Sequence, residues 1–166
     1  DKYKIQVLSN SSSTDTSALE TEINNLKAEL DAEKKKGATI TLSFSGSTAL
    51  SCNSSNNNFE GLTQSSKTSD SDDIFTYSNG GVVINKTGYY SVSTYAYLNG
   101  TGWLNIGIAK NSFVFSMQSF NYASNAGPGS NVSFIAKFQK GDVINQSYWC
   151  DNSYTIKYAN LGVTYL

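Results

Sequence analysis

The sequence has no histidine and no arginine, and these absences exclude most familiar catalytic sites. Nucleophilic triads and dyads need an imidazole that titrates near neutral pH, and phosphoryl-transfer sites recruit arginine or a glycine-rich loop with its lysine. A pair of carboxylates, as in glycosidases, is the catalytic option that remains. Such a pair needs a raised pKa in a cleft, and no motif in the sequence indicates one. We therefore predict that the protein is not an enzyme.

The sequence also lacks an excess of charge of one sign and lacks long apolar runs. The twelve basic residues are all lysine, the formal net charge is −1, and nine of the 25 charged residues cluster in the helical segment 17–37. No basic face is available to follow a phosphate backbone, which argues against nucleic-acid binding. No run approaches the roughly 18 apolar residues of a membrane-spanning helix, so we predict no membrane insertion. A hydrophobic content of 39% with a single proline indicates one ordered globular core.

Cysteine is limited to Cys52 and Cys150, which are too far apart for a CxxC metal or redox pair. Their number and spacing leave a disulfide and two buried thiols equally open. The aspartates within residues 70–73 lack the glycine-punctuated spacing and distal glutamate of an EF-hand, and such a cluster is typical of a solvated turn. A structural calcium ion in that loop stays an alternative, and no cofactor is predicted.

The first pattern that the sequence does contain is a heptad repeat in residues 17–37. Four apolar residues have the spacing of a parallel coiled-coil seam: Leu19, Ile23, Leu26 and Leu30. Ser17 and Glu20 have capping-box spacing, and Gly37 can take the left-handed conformation that ends a helix. Because a helix this short is marginal alone, we predict a stalk that associates with other copies. The alternative is a single amphipathic helix packed on its own domain.

The residues before the helix form a separate segment, 1–16. It contains a candidate strand, Tyr3–Leu8, and a serine-rich linker, Ser9–Ser13. The chain opens on Asp1 with neither a starting methionine nor a signal peptide, which is typical of a fragment of a longer protein. The simplest division is a linker over residues 1–16, a coiled-coil stalk over 17–37 and a head domain over 38–166.

From Thr39 onward apolar residues recur with period two between turn residues, which predicts strands. The expected strands are Thr39–Phe44, Gly81–Asn85, Tyr89–Leu98, Trp103–Lys110, Phe113–Phe120, Asn131–Phe138, Val143–Trp149 and Tyr154–Leu166, the last either continuous or broken near Gly162. Turns are expected at Asn99–Gly100, Gly127–Gly129 and Lys140–Asp142. The polar segment Ser45–Ser78 is expected to be mostly irregular. This spacing predicts an antiparallel sandwich of about eight to ten strands.

Four segments of the β-rich part resemble one superfamily, the trimeric jelly rolls of the tumour-necrosis-factor ligands and the globular heads of complement component 1q. Thr87–Val92 is similar to the entry into the family's long third strand, and Leu104–Asn111 to the next strand with its Lys-Asn turn. Phe138–Val143 is similar to the Gly-Asp step between the sixth and seventh strands, and Leu161–Leu166 to the closing strand. The resemblance implies an antiparallel jelly-roll sandwich that forms a homotrimer about an axis lined by its inner sheet.

A homotrimer gives a role to one face of the third strand. Tyr89, Tyr95 and Tyr97 alternate with core positions and therefore face away from the core. Three tyrosines on a solvent face would form a large amphipathic patch, so we predict that they line the trimer interface with Tyr158 and Tyr165. The alternative is that one or two of them cap the edge of the core. The helical seam would keep the three heads in register.

The coiled-coil stalk and the Ser- and Asn-rich surface resemble the receptor-binding tips of bacteriophage tail and baseplate proteins. This resemblance implies an extracellular place on the virion, or on a bacterial surface, and attachment to a cell-surface saccharide or teichoic acid. Other tail or baseplate proteins would bind through an upstream part of the chain. Candidate ligand contacts are aromatic and polar residues on loops and strand ends: Trp103, Asn121, Tyr122, Tyr148, Trp149, Asp151 and Asn152. The alternatives are a structural trimerising cap of a surface filament and a secreted signalling ligand.

Overall fold

The computed structural model describes residues 13–68, 71–127 and 129–166. The predicted strand Tyr3–Leu8 lies outside these ranges. Internal contacts divide the chain into two compact units, with the boundary between Lys36 and Gly37. The first unit contains the helix and the second contains the strands, so each is described by itself.

The helix, α1, spans Ser13–Lys34. It begins before the predicted capping box, and that prediction is wrong: Ser17 lies inside the helix, where its carbonyl accepts a hydrogen bond from Thr21 Oγ1 at 2.9 Å. Gly37 has the predicted left-handed conformation, with φ +82°. No helix within the described ranges is long and apolar enough to span a membrane.

Within the described residues ten strands form the second unit, and most lie where the sequence predicts them. They are β1 (Thr39–Ala49), β2 (Asn57–Asn58), β3 (Thr63–Lys67), β4 (Phe75–Ser78), β5 (Gly81–Ile84), β6 (Gly88–Lys110), β7 (Phe113–Ala126), β8 (Gly129–Phe138), β9 (Val143–Cys150) and β10 (Ser153–Tyr165). The predicted strands Tyr89–Leu98 and Trp103–Lys110 belong to one strand, because β6 continues through the expected turn at Asn99–Gly100. The segment expected to be irregular contains β2, β3 and β4, of which β2 and β3 are entirely polar and so lack a period-two signal.

The strands form two sheets that share β6. The first half of β6 pairs with β10 and β8, and β1 and β3 extend this sheet I in the order β3-β1-β10-β6-β8. The second half of β6 pairs with β9 and β7, and β5 and β4 extend sheet II in the order β4-β5-β9-β6-β7, with β2 beside β9. All of these pairs are antiparallel, and the two sheets enclose one core. This is the architecture of a jelly-roll sandwich.

Strand β6 changes sheets at Gly100 and Gly102 instead of reversing there. A Cβ atom at Gly100 would lie 2.1 Å from the Ser153 carbonyl oxygen, so only glycine allows β10 to pass this close. Gly102 has φ +94°, and the pairing with β7 is irregular between the two glycines. The chain therefore bends from one sheet into the other without leaving the strand.

In the two longest central strands, β6 and β10, alternate residues enter the core, as predicted for the third strand. From the first half of β6 the core takes Tyr90, Val92, Thr94, Ala96 and Leu98. The Tyr90 ring packs against Phe75, Phe138 and Tyr165, with ring centroids 5.9, 6.0 and 5.2 Å away. Burial and then the neighbouring Tyr165 raise the pKa of Tyr90. Tyr165 is thus a core residue at 8% exposure, and its predicted place in the trimer interface is corrected.

A disulfide joins Cys52 to Cys150, which decides the alternative that the sequence left open. Cys150 is fully buried at the end of β9, and its carbonyl accepts a hydrogen bond from the Ser54 backbone N–H at 3.0 Å. The bond therefore fastens the connection between β1 and β2 to sheet II.

A buried polar contact also links the two sheets. Gln146 on β9 is fully buried and donates through Nε2 to Thr94 Oγ1 at 2.8 Å and to the Tyr95 carbonyl at 3.1 Å. The Thr94 hydroxyl in turn donates to the Asn160 carbonyl at 2.7 Å. These hydrogen bonds are directional links between β9 and β6 across the core, although Gln146 Oε1 itself has no hydrogen-bond partner among the described residues.

Asp142 organises the turn between β8 and β9, which is the Gly-Asp step noted in the sequence. Its carboxylate accepts hydrogen bonds from the Gln139 N–H and from Asn111 Nδ2, both at 2.8 Å, and lies 3.1 Å from Lys110 Nζ. Desolvation raises the pKa of Asp142, but the hydrogen bonds from Gln139, Asn111 and Lys110 outweigh it and hold that pKa below its ordinary value. The glycine before it, Gly141, has φ +94°, as a tight reversal requires. These contacts give Asp142 a structural role.

We expect Asp142→Asn to lower the free energy of unfolding by about 2 kcal/mol at neutral pH, because it weakens charge-assisted hydrogen bonds at a nearly buried group. Since the pKa of Asp142 is lower in the folded state, its stabilisation is complete above the unfolded pKa and is lost as pH falls through the folded pKa. Urea unfolding of wild type and variant across the acid range measures both effects. Asp72→Asn is the control, because that carboxylate is 87% exposed; an equal loss in both variants would contradict the prediction.

Candidate functional site

The predicted ligand residues can be sorted by the face of sheet II on which they lie. Asn105 on β6 pairs with Trp149 on β9 and with Ser119 on β7, while Trp103 pairs with Asn121. Cross-strand partners project from the same face, and Leu104 and Ile106 occupy the buried face between them. Five residues therefore share the outer face of sheet II and are called the tryptophan face here: Trp103, Asn105, Ser119, Asn121 and Trp149.

The tryptophan face presents aromatic and amide groups to solvent. Trp103 is 50% exposed, Asn121 and Ser119 are exposed, and Asn105 and Trp149 are half-buried. An exposed indole beside amide and hydroxyl groups can stack on an apolar ring surface while the polar groups bind hydroxyls around it. Asn105 and Ser119 were not predicted, although their period-two spacing from Trp103 and Asn121 places them on the same face of their strands.

Asp151 and Asn152 hold the part of β6 that carries Trp103, the first residue of this face. The Trp103 N–H donates to Asp151 Oδ1 at 2.8 Å, and Asn152 Nδ2 donates to Thr101 Oγ1 at 3.1 Å. Both residues lie in the turn between β9 and β10, which they attach to the bend of β6. The two predicted residues are therefore brought next to Trp103, where they position its backbone.

Tyr148 does not belong to the tryptophan face. It neighbours Trp149 in β9 and so points to the opposite side, where it is 8% exposed and packs in the core. Its hydroxyl accepts a hydrogen bond from the Ser51 N–H at 3.3 Å. The prediction of Tyr148 as a ligand contact is therefore corrected, because its ring and its hydroxyl are both occupied within the domain.

Tyr122 lies apart from the tryptophan face as well. Its half-buried ring stacks on Phe120, with centroids 6.1 Å apart, and both residues lie on the side of β7 opposite to Asn121. Burial, followed by the nearby Tyr122 and Asp151, raises the pKa of Tyr154, whose hydroxyl donates to the Gly102 carbonyl at 2.6 Å. Tyr122 therefore belongs to an aromatic group at the end of the sandwich.

The outer face of sheet I carries a second exposed aromatic surface. It contains the remaining predicted tyrosines of the head and one residue that was not predicted, and it is called the tyrosine face here: Tyr89, Tyr95, Tyr97, Ile135 and Tyr158. Tyr89 is 58% exposed, Tyr97 40%, Tyr158 39% and Ile135 66%. The rings of Tyr95 and Tyr158 lie 5.9 Å apart. Ile135 follows from the alternation of β8, which pairs it with Ser91 on the same outer face.

The described ranges contain no group of three or more cysteine, aspartate or glutamate side chains placed to hold an ion. In the aspartate cluster considered for calcium, Asp72 forms an ion pair with Lys67 at 2.7 Å.

No protein-family model and no curated protein matches the sequence, but solved structures match the fold. Murine APRIL superposes with a TM-score of 0.62 at 12% identity, over 79% of this chain and 100% of its own. The vertex protein P5 of phage PRD1 gives 0.60 at 16% identity, over 79% and 98%. The globular domain of zebrafish complement 1qA gives 0.58 at 11% identity, over 78% and 97%. The chain therefore has the jelly-roll fold of tumour-necrosis-factor ligands and complement 1q heads, as its four motifs predicted.

Proposed function

We propose that the chain assembles as a homotrimer through the tyrosine face and the helix. The tyrosine face is a contiguous aromatic surface that contributes little to the core of its own domain, which is typical of an interface. On the helix, the seam residues Ile23, Leu26 and Leu30 are 48%, 57% and 56% exposed in the single chain. Both surfaces would lose water on association, and a seam of this length becomes stable only with a partner.

A three-fold ring needs two different surfaces on each copy, because each copy contacts its two neighbours through different patches. The sandwich edge formed by β7 and β8 offers the second patch. There Phe115 is 49% exposed, and its ring lies 4.9 Å from that of Phe134. Its apolar surface is complementary to the tyrosine face, so we assign this edge as the surface that the tyrosine face of the next copy covers.

The trimer serves as the receptor-binding head of a phage tail or baseplate protein and attaches to a bacterial cell-surface saccharide or teichoic acid. One observation carries this proposal: Trp103 is half exposed on the same face as Trp149, with the amides of Asn105 and Asn121 beside them. An exposed indole contributes little to folding, and this grouping suits the ring and hydroxyls of a sugar. Three copies would multiply weak sites by avidity.

The setting of such a head is extracellular, on a virion or a bacterial surface. The disulfide fits an oxidising compartment. Among proteins with this fold, P5 is described as a vertex protein of PRD1. That description supports a place on a virion for this chain. Other tail or baseplate proteins would bind an upstream part of the chain.

Substituting both Trp103 and Trp149 with alanine is expected to weaken binding to bacterial cell walls by at least 100-fold, because buried tryptophan contacts are worth about 2 kcal/mol or more each. Labelled protein is titrated against walls with and without their polysaccharide and teichoic acid. Met117→Ala is the matched control: Met117 is 43% exposed on the same face of sheet II, about 13 Å from Trp103 by strand spacing.

Wall binding that is lost with the polysaccharide and with the two tryptophans, but kept by Met117→Ala, would support the proposal. A clean trimer that binds no wall would overturn the attachment role and favour a structural cap. Binding that survives removal of both tryptophans would overturn the assignment of the tryptophan face.

A further inference from the structure

An open polar cleft of about 350 Å³, called the cavity here, lies at one end of the outer face of sheet I. Its walls come from the last residues of β6 before the bend and the first residues of β10: Asn99, Gly100, Thr101, Ser153, Thr155 and Lys157. Asn99 pairs with Thr155, and Thr101 with Ser153, so their side chains stand side by side on this face. The cavity begins where Tyr97 and Tyr158 end the tyrosine face, and it is separate from the tryptophan face on sheet II.

A β-bulge turns Lys157 toward this cavity. Ile156 pairs with Leu98 and Tyr158 pairs with Tyr97, so Lys157 is an extra residue in β10 relative to β6. Ile156 and Ala159 are both buried, which leaves Lys157 and Tyr158 on the outer face together. Regular alternation would place one of these two side chains in the core. The irregularity therefore puts an ammonium group beside the hydroxyl and amide side chains.

The cavity offers hydrogen-bond donors and one positive charge but no carboxylate. Lys157 Nζ donates to Ser47 Oγ at 2.8 Å, and in the described ranges no ion pair involves it. Lys67 and Lys110, by contrast, each pair with an aspartate. The residue Lys157 is half-buried. Its ammonium, next to hydroxyl and amide donors, attracts an oxyanion, whose oxygens accept several of these hydrogen bonds at once.

We infer that this cavity binds an oxyanion group carried by a polyhydroxy chain, either the phosphodiester of a polyol phosphate or the carboxylate of a uronic acid. The Lys157 ammonium neutralises the charge, and Asn99, Thr101, Ser153 and Thr155 bind the oxygens and neighbouring hydroxyls. This inference rests on the proposed function for the origin of the ligand, a bacterial surface glycopolymer. It deepens that function, since it makes the recognised polymer anionic.

The test is a titration of the ¹⁵N-labelled chain of 166 residues with three probes of similar length: a glycerol-phosphate oligomer, an oligogalacturonate and a neutral maltooligosaccharide. We expect one anionic probe to shift the amide resonances of Thr101, Ser153 and Thr155, and the neutral probe to leave them unchanged. Lys157→Met should weaken that binding at least tenfold and Lys157→Gln similarly, whereas Lys140→Met, the same charge change in the turn between β8 and β9, should not.

The anionic probe that binds identifies the source of the oxyanion. Failure of both anionic probes to shift the cavity residues, or equal binding by the Lys157 and Lys140 variants, would overturn the inference. Because these probes are added directly to the chain, the result does not depend on the tryptophan face or on bacterial walls. The inference and the proposed function can therefore fail separately.

Discussion

Replacing both Cys52 and Cys150 with alanine is expected to lower the free energy of unfolding by about 4 kcal/mol. The bond joins residues 98 apart in the sequence, and a cross-link over so long a segment removes much of the conformational entropy of the unfolded chain. Denaturant unfolding at a fixed protein concentration measures the change, because assembly would make the apparent stability depend on concentration.

Reduced wild-type protein is the matched control, because it keeps both sulfur atoms and loses only the bond. Equal losses in the variant and in the reduced protein would assign the stabilisation to the cross-link. A loss confined to the variant would contradict the prediction and assign it to packing, since Cys150 is fully buried.

The tyrosines of β10 show how far period-two alternation carries a prediction. Tyr158 and Tyr165 are seven residues apart, so a continuous strand places them on opposite faces, whereas a break near Gly162 would allow both to face outward. The sequence alone left the break open. The strand is continuous there, because Gly162 pairs in register with both Ser93 and Thr41, and Tyr165 consequently packs in the core.

The tryptophan face shows a different limit of prediction from sequence, which concerns pairing between strands. Alternation alone separates Tyr148 from Trp149, so the correction of Tyr148 was available from the sequence. The placement of Trp103 and Trp149 on neighbouring positions of one face was not, because it depends on the register between β6 and β9, which are joined through two intervening strands. Register is set by packing across the whole sheet, and no local pattern in either strand specifies it.

Two predictions were wrong for local reasons: the turn at Asn99–Gly100 and the start of α1 at Ser17. Asn99–Gly100 is a common hairpin turn, but here the glycine allows a close approach between strands. The helix is preceded by a run of serines, any of which can cap it, so the sequence cannot select the first turn. In both cases several local structures suit the same residues, and contacts distant in sequence select among them.

Changing Tyr97 and Tyr158 together to aspartate is expected to convert the proposed homotrimer to monomers at micromolar concentration. The two residues are register partners on the tyrosine face, and burying unpaired carboxylates there would cost several kcal/mol at each interface. The fold should survive, because both side chains point away from the core. Light scattering gives the mass, and circular dichroism checks the strand content. Trp103→Asp is the control, since it places a charge on the opposite sheet and should leave the mass unchanged.

Mixing two variants tests whether the ring closes through different surfaces. Phe115→Asp damages the edge patch and keeps the tyrosine face, whereas the Tyr97/Tyr158 variant keeps the edge and loses the face. Each is expected to be monomeric alone, and an equal mixture should form dimers of one copy each, because only one competent contact remains between them. A mixture that stays monomeric would contradict the pairing of face with edge. The double variant Ile23→Asp and Leu26→Asp should dissociate less than the Tyr97/Tyr158 variant does at the same concentration. That result would show that the helix assists assembly and that the head dominates it.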